Sequence, residues 1–498
     1  LNGLDNMRLS IDTVRECNKV AEAALCYTGD ILDPRRDKYD LKYYVDMAKE
    51  LAAAGANIIA IKDMAGLLKP EASYRLVSAL KDAVDLPIHL HTHEGSGNAI
   101  YTYARAVDAG VDIVDTAMSA MSCGTSQPSG SSLYYALSGH PRQPRVDVDA
   151  MNELSRYWET VRPYYKAADQ TELFPNPEVY VHEMPGGQYT NLKQQATALG
   201  LIERWEEVKD MYHRVSMMFG DLIKVTPSSK IVGDMALFMV QNDLSEEDIY
   251  AKGDVLDFPA SVVEFFEGRI GVPYQGFPQK LQQIVLKGRK PLEGRPGDTL
   301  PPVNFEEIKA KLAELEAPIT EEAVSSYCLY PKVFTDWVKR VHDFGDVSVL
   351  DTPTFFFGMK IGEEIKVEIE QGKMLVIKLV HIGEANADGI RTVSFEFNGL
   401  PREIDIKDRN VKATNISRKK ADKANQGEIG ATLSGSVVKV LVEKGQAVTK
   451  GTPLVVTEAM KMETTIAAPI SGIVAQIHVT AGNRIESGDC LLEIELKA

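Results

Sequence analysis

The sequence predicts a multidomain α/β protein: the second half of a (β/α)8 barrel, a helical extension, a small β-containing domain and a C-terminal β-sandwich. Three observations predict it. Short apolar runs alternate with helical stretches over residues 1–130, helix formers without strand periodicity fill 131–345, and the C-terminal region repeats itself at a fixed offset. In the first region, residues 23–27, 57–61, 87–91 and 111–115 read as strands, and 41–54, 72–83 and 98–109 as helices. Strands of about five residues separated by helices are parallel βα units. No glycine-rich phosphate loop follows the first strand, which argues against a dinucleotide fold. Instead polar residues gather at the carboxyl ends of successive strands: Lys62-Asp63, His91-Thr92-His93 and Asp115-Thr116. A (β/α)8 barrel builds its active site there. Four strands are countable where closure needs eight, so the chain is expected to begin mid-barrel.

Helix candidates then follow at 150–161, 188–198, 202–219 and 305–315. From about Thr352 the pattern turns to β, with alternation over 364–370, 374–382 and 392–397 and turns at Gly372 and Asn398-Gly399. The expected domains are therefore 1–130, 131–345 and 346–415, then a polar, aromatic-free tether at 416–427 and a terminal domain at 428–498.

Bulk properties narrow the function. A chain of 498 residues holds three or four domains, and 44% hydrophobic with 25% charged residues is ordinary for a globular protein. A net charge of −16 argues against a nucleic-acid groove. No apolar run reaches the roughly 20 residues that span a bilayer, so no membrane partner is expected. The five cysteines show no paired spacing, which suits a reducing compartment and excludes a cysteine zinc knuckle. Residue 1 is Leu, and no targeting signal is visible.

The C-terminal repeat frames the most informative motif, Glu458-Ala459-Met460-Lys461-Met462-Glu463. A shift of 37 positions aligns Ser434-Gly435 with Ser471-Gly472, Gly445 with Gly482, Gly451 with Gly488 and Leu454 with Leu491. A uniform offset over several glycines implies two copies of one strand–turn unit packed as a sandwich. Strand-like runs enter and leave the motif, which places Lys461 at a hairpin tip. A lone exposed lysine is ordinarily solvated surface. Within this repeat it resembles the biotin attachment site of biotin carrier (barrel-sandwich hybrid) domains. A lipoyl carrier has a similar fold, but methionines on both sides of Lys461 speak for biotin.

His91 and His93, two apart on a strand end, fall on one face and together can chelate a divalent metal. Satisfied polar loop residues are the plainer alternative. Lys62 cannot ligate as an ammonium but can once its amine is carboxylated, and otherwise it would pair with Asp63 or a nearby carboxylate.

Residues 61–66 (Ile-Lys-Asp-Met-Ala-Gly) with His89-Leu90-His91-Thr92-His93 resemble the metal-site signature of biotin-dependent carboxyltransferases. Val225-Thr226-Pro227-Ser228-Ser229-Lys230 resembles the segment supplying their catalytic threonine. Residues 356–364 resemble the tetramerisation and allosteric segment of the pyruvate carboxylase family, and the order of the motifs matches that family over nearly the whole chain. The resemblance implies carboxyl transfer from carboxybiotin on Lys461 to pyruvate, giving oxaloacetate. It further implies manganese or zinc held by carboxylated Lys62, His91 and His93, with a family aspartate that precedes residue 1. Thr226 would relay the proton, and Ser229 and Lys230 are candidates for holding biotin, with a plain helix-start role as the alternative. Thr226 could equally cap the helix beyond Pro227.

Implied partners are a biotin ligase, a biotin carboxylase domain or subunit, three further copies in a homotetramer and an acetyl-CoA-type effector. The implied location is the cytoplasm, or the mitochondrial matrix in a eukaryote. Two other classes stay open: an oxaloacetate decarboxylase or transcarboxylase subunit, and a non-catalytic biotin carrier with an oligomerisation module.

Overall fold

The computed structural model describes residues 3–166, 169, 174–385, 390–408, 419–422, 425–459 and 462–495. The chain divides into two compact units, Leu1–Arg162 with Asp169–Thr299 and Arg418–Ala498, and Pro163–Ala168 with Leu300–Ser417.

The first unit opens as α1 (Leu4–Glu16), β1 (Glu22–Cys26), α2 (Leu41–Ala53), β2 (Ile58–Lys62), α3 (Pro70–Ala83), β3 (Ile88–His91), α4 (Ala99–Asp108) and β4 (Ile113–Val114). The four strands pair in parallel in the order β1-β2-β3-β4, with Cys26 opposite Lys62 and Lys62 opposite His91. Register explains the clustering of polar residues, because in-register parallel strands bring their carboxyl ends to one rim. Ile59, Ile61, Ile88 and Leu90 face Leu51, Leu76, Leu80 and Tyr103 of the flanking helices in one core. The four expected strands are present, and among the described residues the sheet stays open at four. Helix ends follow local chemistry: Asp40 accepts from Tyr43 N to cap α2, and Pro70 opens α3.

Among the described residues, nine α-helices continue the unit: α5 (Gly130–Ala136), α6 (Val148–Val161), α7 (Val179–His182), α8 (Gly186–Ala198), α9 (Trp205–Met218), α10 (Ser228–Gln241), α11 (Glu246–Lys252), α12 (Ala260–Phe266) and α13 (Gln279–Leu286). Leu192, Tyr212, Phe219, Met235, Phe265 and Leu281 build a second core among them.

The second unit holds α14 (Phe305–Glu314), α15 (Glu321–Leu329), α16 (Pro331–Phe344) and α17 (Thr352–Phe357). An antiparallel sheet follows: β5 (Glu364–Glu370), β6 (Lys373–Ile382), β7 (Ile390–Phe397) and β8 (Leu400–Lys407). Two sequence expectations change here. Residues from Thr352 onward were expected as β, yet Thr352–Phe357 is helical because Asp351 caps it and Pro353 sits in its first turn. Strand β8 was unforeseen: Ile404 and Ile406 alternate with charged residues, but the run is short, follows Pro401, and all eight residues of the strand are exposed.

The carrier part of the first unit contains β9 (Glu428–Gly430), β10 (Gly435–Val440), β11 (Ala447–Val448), β12 (Pro453–Ala459), β13 (Met462–Ala467), β14 (Gly472–Ile477), β15 (Arg484–Ile485) and β16 (Cys490–Glu495). Its sheets run β13-β12-β10-β15 and β9-β16-β14-β11. The 37-residue offset carries β10 onto β14, β11 onto β15 and β12 onto β16, so the repeat is the pseudo-twofold of the sandwich. Leu454, Val474 and Leu491 fill its core. Part of the expected tether lies along this sandwich: Ala421 N donates to Gly488 O at 2.9 Å and Lys420 pairs with Asp489 at 2.8 Å.

Candidate active site: two imidazoles on a strand rim

His91 ends β3 and His93 follows two residues later, and their Nε2 atoms lie 3.3 Å apart. Each imidazole is oriented from behind. His93 Nδ1 donates to the Thr125 carbonyl at 2.6 Å, and His91 Nδ1 donates to the Asp115 carboxylate at 2.8 Å. Both acceptors lack protons to give, so each Nδ1 carries the hydrogen and each Nε2 presents a lone pair. Two lone pairs facing at this distance repel unless a metal ion or a shared proton lies between them. Two metal–nitrogen bonds of about 2.1 Å at a tetrahedral angle would separate the nitrogens by about 3.4 Å. The donor set therefore fits a divalent metal. Burial pushes His93 below the usual imidazole range, which favours the neutral ligating form.

Lys62 ends β2 directly opposite His91. Its expected alternative partner is engaged elsewhere: Asp63 is fully buried, accepting from Leu67 N and Leu68 N at 2.9 Å and from Thr92 Oγ1 at 2.7 Å. Among the described residues Lys62 makes no side-chain hydrogen bond or ion pair. Gly66, at φ +76°, completes this loop, since a Cβ there would lie 2.5 Å from the His93 carbonyl oxygen.

The Thr226 segment is anchored to the same rim. Ile223 packs into the core beneath the sheet, and the buried Lys224 ammonium reaches Thr28 Oγ1, two residues past β1, at 3.4 Å. Thr226 is exposed, and Pro227 occupies the N-cap position of α10, so the capping role expected for Thr226 is not realised. Ser228 folds this turn by bonding Val225 N and the Ile223 carbonyl. Ser229 is buried, whereas Lys230 Nζ is half-exposed and held by Asp234 at 2.6 Å, with Ser261 Oγ on the same oxygen. Lys461 lies outside the described residues. The strands flanking it pair up to Ala459 and Met462.

Several contributors escaped the sequence reading. Gly186, first residue of α8, sits so close that a Cβ would lie 2.8 Å from Thr125 O and 2.9 Å from His93 Nδ1. Gly186→Ala is therefore expected to displace the bond that orients His93, at a cost of about 1–3 kcal/mol, read as a lowered midpoint in urea unfolding. Gln188 is buried with its Nε2 unbonded among the described residues. A cavity of about 40 Å³ adjoins His93, lined by Phe174, Asn176, His182 and Tyr189. Burial lowers His182 to about 4, so it is neutral there.

His478, Cys490 and Glu493 form a second group of donor side chains on the carrier. The Lys419 ammonium lies 2.9 Å from Glu493 of this group and 2.7 Å from Glu428, so the carboxylate already has a counter-charge. Burial pushes the Cys490 thiol up to about 11, away from the ligating thiolate.

The chain is similar to known proteins along most of its length. Residues 7–157 match the HMGL-like family, 179–378 the conserved carboxylase domain and 423–494 the biotin-requiring enzymes. Pyruvate carboxylase of Bacillus subtilis is 58% identical over 496 residues, which is 99% of this chain and 43% of the relative. The carboxyl transferase domain of Rhizobium etli pyruvate carboxylase, solved with pyruvate and biocytin, is 50% identical (TM-score 0.78) over 82% of this chain and 69% of that one. The complete Rhizobium etli enzyme aligns over 99% of this chain and 45% of its own, at 47% identity and TM-score 0.77. An HMGL-like α/β domain with histidines at its strand rim, joined to a carrier sandwich, defines the class of biotin-dependent carboxyltransferases. Within that class, the chain belongs to the pyruvate carboxylase family. It spans about 43% of the length of the curated relative from Bacillus subtilis.

Proposed function

We propose that this chain performs the carboxyl-transfer half-reaction of its family, passing a carboxyl group from carboxybiotin tethered at Lys461 to pyruvate to give oxaloacetate. The convergence of His91 and His93 Nε2 on one point of the rim, in a chain that also bears a carrier sandwich, carries this reading. His91, His93 and carboxylated Lys62 would hold manganese or zinc, which when bound supplies positive charge to polarise the pyruvate oxygens. Biotin, when attached, supplies the carboxyl group. Thr226 moves the proton: its hydroxyl accepts one from the pyruvate methyl group as it donates its own towards biotin, and so carries no net charge. Ser229 and Lys230 bind the biotin ring, with Lys230 aimed by Asp234.

The same reading makes residues 1–130 the second half of a (β/α)8 barrel and 131–345 its helical extension. Residues 346–415 form a tetramerisation domain, 416–427 a linker and 428–498 the biotin carrier. It brings with it a homotetramer, a biotin ligase, a biotin carboxylase domain or subunit, an acetyl-CoA-type effector and a cytoplasmic or matrix location. Among the described residues, no helix is long and apolar enough to cross a membrane.

The reverse direction, biotin-dependent loss of the carboxyl group from oxaloacetate, tests the role of Thr226. Thr226→Val is expected to lower kcat at least about 100-fold, with the melting curve unchanged because the side chain is exposed, while Thr226→Ser stays near wild type. Full activity in Thr226→Val would remove the threonine from the mechanism.

A further inference from the structure

Behind the two imidazoles runs a string of side chains that the carboxyl-transfer reading does not use. Glu22 opens β1, and its Oε1 lies 3.0 Å from His89 Nδ1 on β3. His89 Nε2 lies 2.9 Å from Asp115 Oδ1, and Asp115 Oδ2 accepts from His91 Nδ1 at 2.8 Å. One carboxylate thus bridges both imidazoles on one face of β3. The string ties β1, β3 and the residue just past β4 into one unit. The backbone of Asp115 is pinned as well, since the buried Tyr103 hydroxyl donates to its carbonyl at 2.6 Å and accepts from Thr92 N at 3.2 Å.

Such a chain has a specific consequence. An imidazole free to rotate or to exchange tautomers could offer either nitrogen to a cation, or neither. With Nδ1 committed to a proton acceptor braced on its other side, only Nε2 of His91 can ligate. A carboxylate behind the ring also raises the basicity of that nitrogen. On His93 a backbone carbonyl does this work, and it cannot be mutated away. Asp115 is therefore the genetically accessible control on the pair.

We propose that Asp115, braced by His89 and Glu22, is a positioning residue of the metal centre that commits His91 to ligation through Nε2. The inference rests on the metal reading above and deepens it.

The experiment uses the full chain, stripped of metal by chelation and titrated with Zn2+ alone, with Co2+ absorption as a second readout of coordination. Asp115→Ala is expected to weaken Zn2+ binding about 10–100-fold and to change the Co2+ spectrum. Asp115→Asn keeps an acceptor for His91 Nδ1 and should recover most of the affinity. Glu22→Gln, at the exposed far end of the string, should give a smaller loss in the same direction. A purely structural role for Asp115 would lower the melting midpoint and leave the Zn2+ affinity of the folded protein unchanged, overturning the inference. Wild-type affinity in both Asp115→Ala and Glu22→Gln would overturn it likewise, with the metal reading intact. Absence of Zn2+ binding in the wild-type chain would instead overturn the metal reading itself, and the inference with it.

Discussion

On the proposed reading, replacing Lys461 with arginine is expected to remove all covalently held biotin and all oxaloacetate-forming activity, while the carrier sandwich stays folded. The stability of that sandwich comes from Leu454, Val474, Leu491 and their neighbours in a closed apolar core. Its strands are paired up to Ala459 and Met462 on either side of the site. The proposed chemistry, by contrast, depends on this amine, because the carrier reading joins biotin to it through an amide that a guanidinium does not form. Arginine keeps the positive charge, so any change reports attachment rather than electrostatics. Intact mass of protein co-expressed with a biotin ligase, with peptide mapping across residues 458–463, reads the outcome directly. One biotin on wild type and none on Lys461→Arg fits the carrier reading. Modification by a lipoyl group, or none in the wild type, would return the chain to a scaffold role.

How much of this was legible beforehand follows from which interactions are local. The βα alternation of the first region shows because buried parallel strands are apolar, as the run at 58–61 is, and because Ile88 and Leu90 keep a period of two between the histidines at 87–91. The carrier was readable through its 37-residue offset, since pseudo-symmetric halves must reuse glycines at equivalent turns. His91 and His93 sit on one face because strand geometry has a period of two. Asp115 was noted only as a polar strand end. That it bridges His89 and His91 depends on the pairing of β3 with β4, which no local pattern states. Gly186 was missed for the same reason, as its closeness to His93 joins residues 93 positions apart. Strand β8 shows only the short alternation of Ile404 and Ile406 and buries neither, and α17 hid behind three consecutive phenylalanines in a stretch expected as β. Most remote of all was the ion network beneath the Thr226 segment, whose members lie at positions 36, 183, 221 and 224.

That network carries the second large expectation: Glu183→Gln should destabilise the first unit by about 3–5 kcal/mol. Glu183 is 5% exposed and takes Arg36 at 2.7 Å and Lys224 at 3.0 Å. Arg36 would keep Asp221, 3.1 Å away, but Lys224, itself 2% exposed, would retain only the hydroxyls of Thr28 and Ser216. An ammonium buried without a counter-charge is the source of the loss. Glu183 and Asp221 both adopt positive φ, 53° and 52°, so the ion pairs also hold two backbone turns in a conformation that non-glycine residues rarely take. Burial works against ionisation of Glu183, yet Lys224 and Arg36 overcome it and hold the carboxyl down at about 2, from an ordinary 4.5. Because the folded value is the lower one, this stability is fully present above pH 4.5 and is lost as pH falls towards 2. A depression of that size corresponds to about 3 kcal/mol, which the wild type should shed across that window and Glu183→Gln should not. Urea unfolding at pH 7 and in steps below 4.5 separates the two. The double variant Glu183→Gln with Lys224→Met removes the stranded charge together with its partner and should recover more than half of the loss. A double variant no more stable than Glu183→Gln alone would place the damage in the turns at Glu183 and Asp221 rather than in the unpaired ammonium.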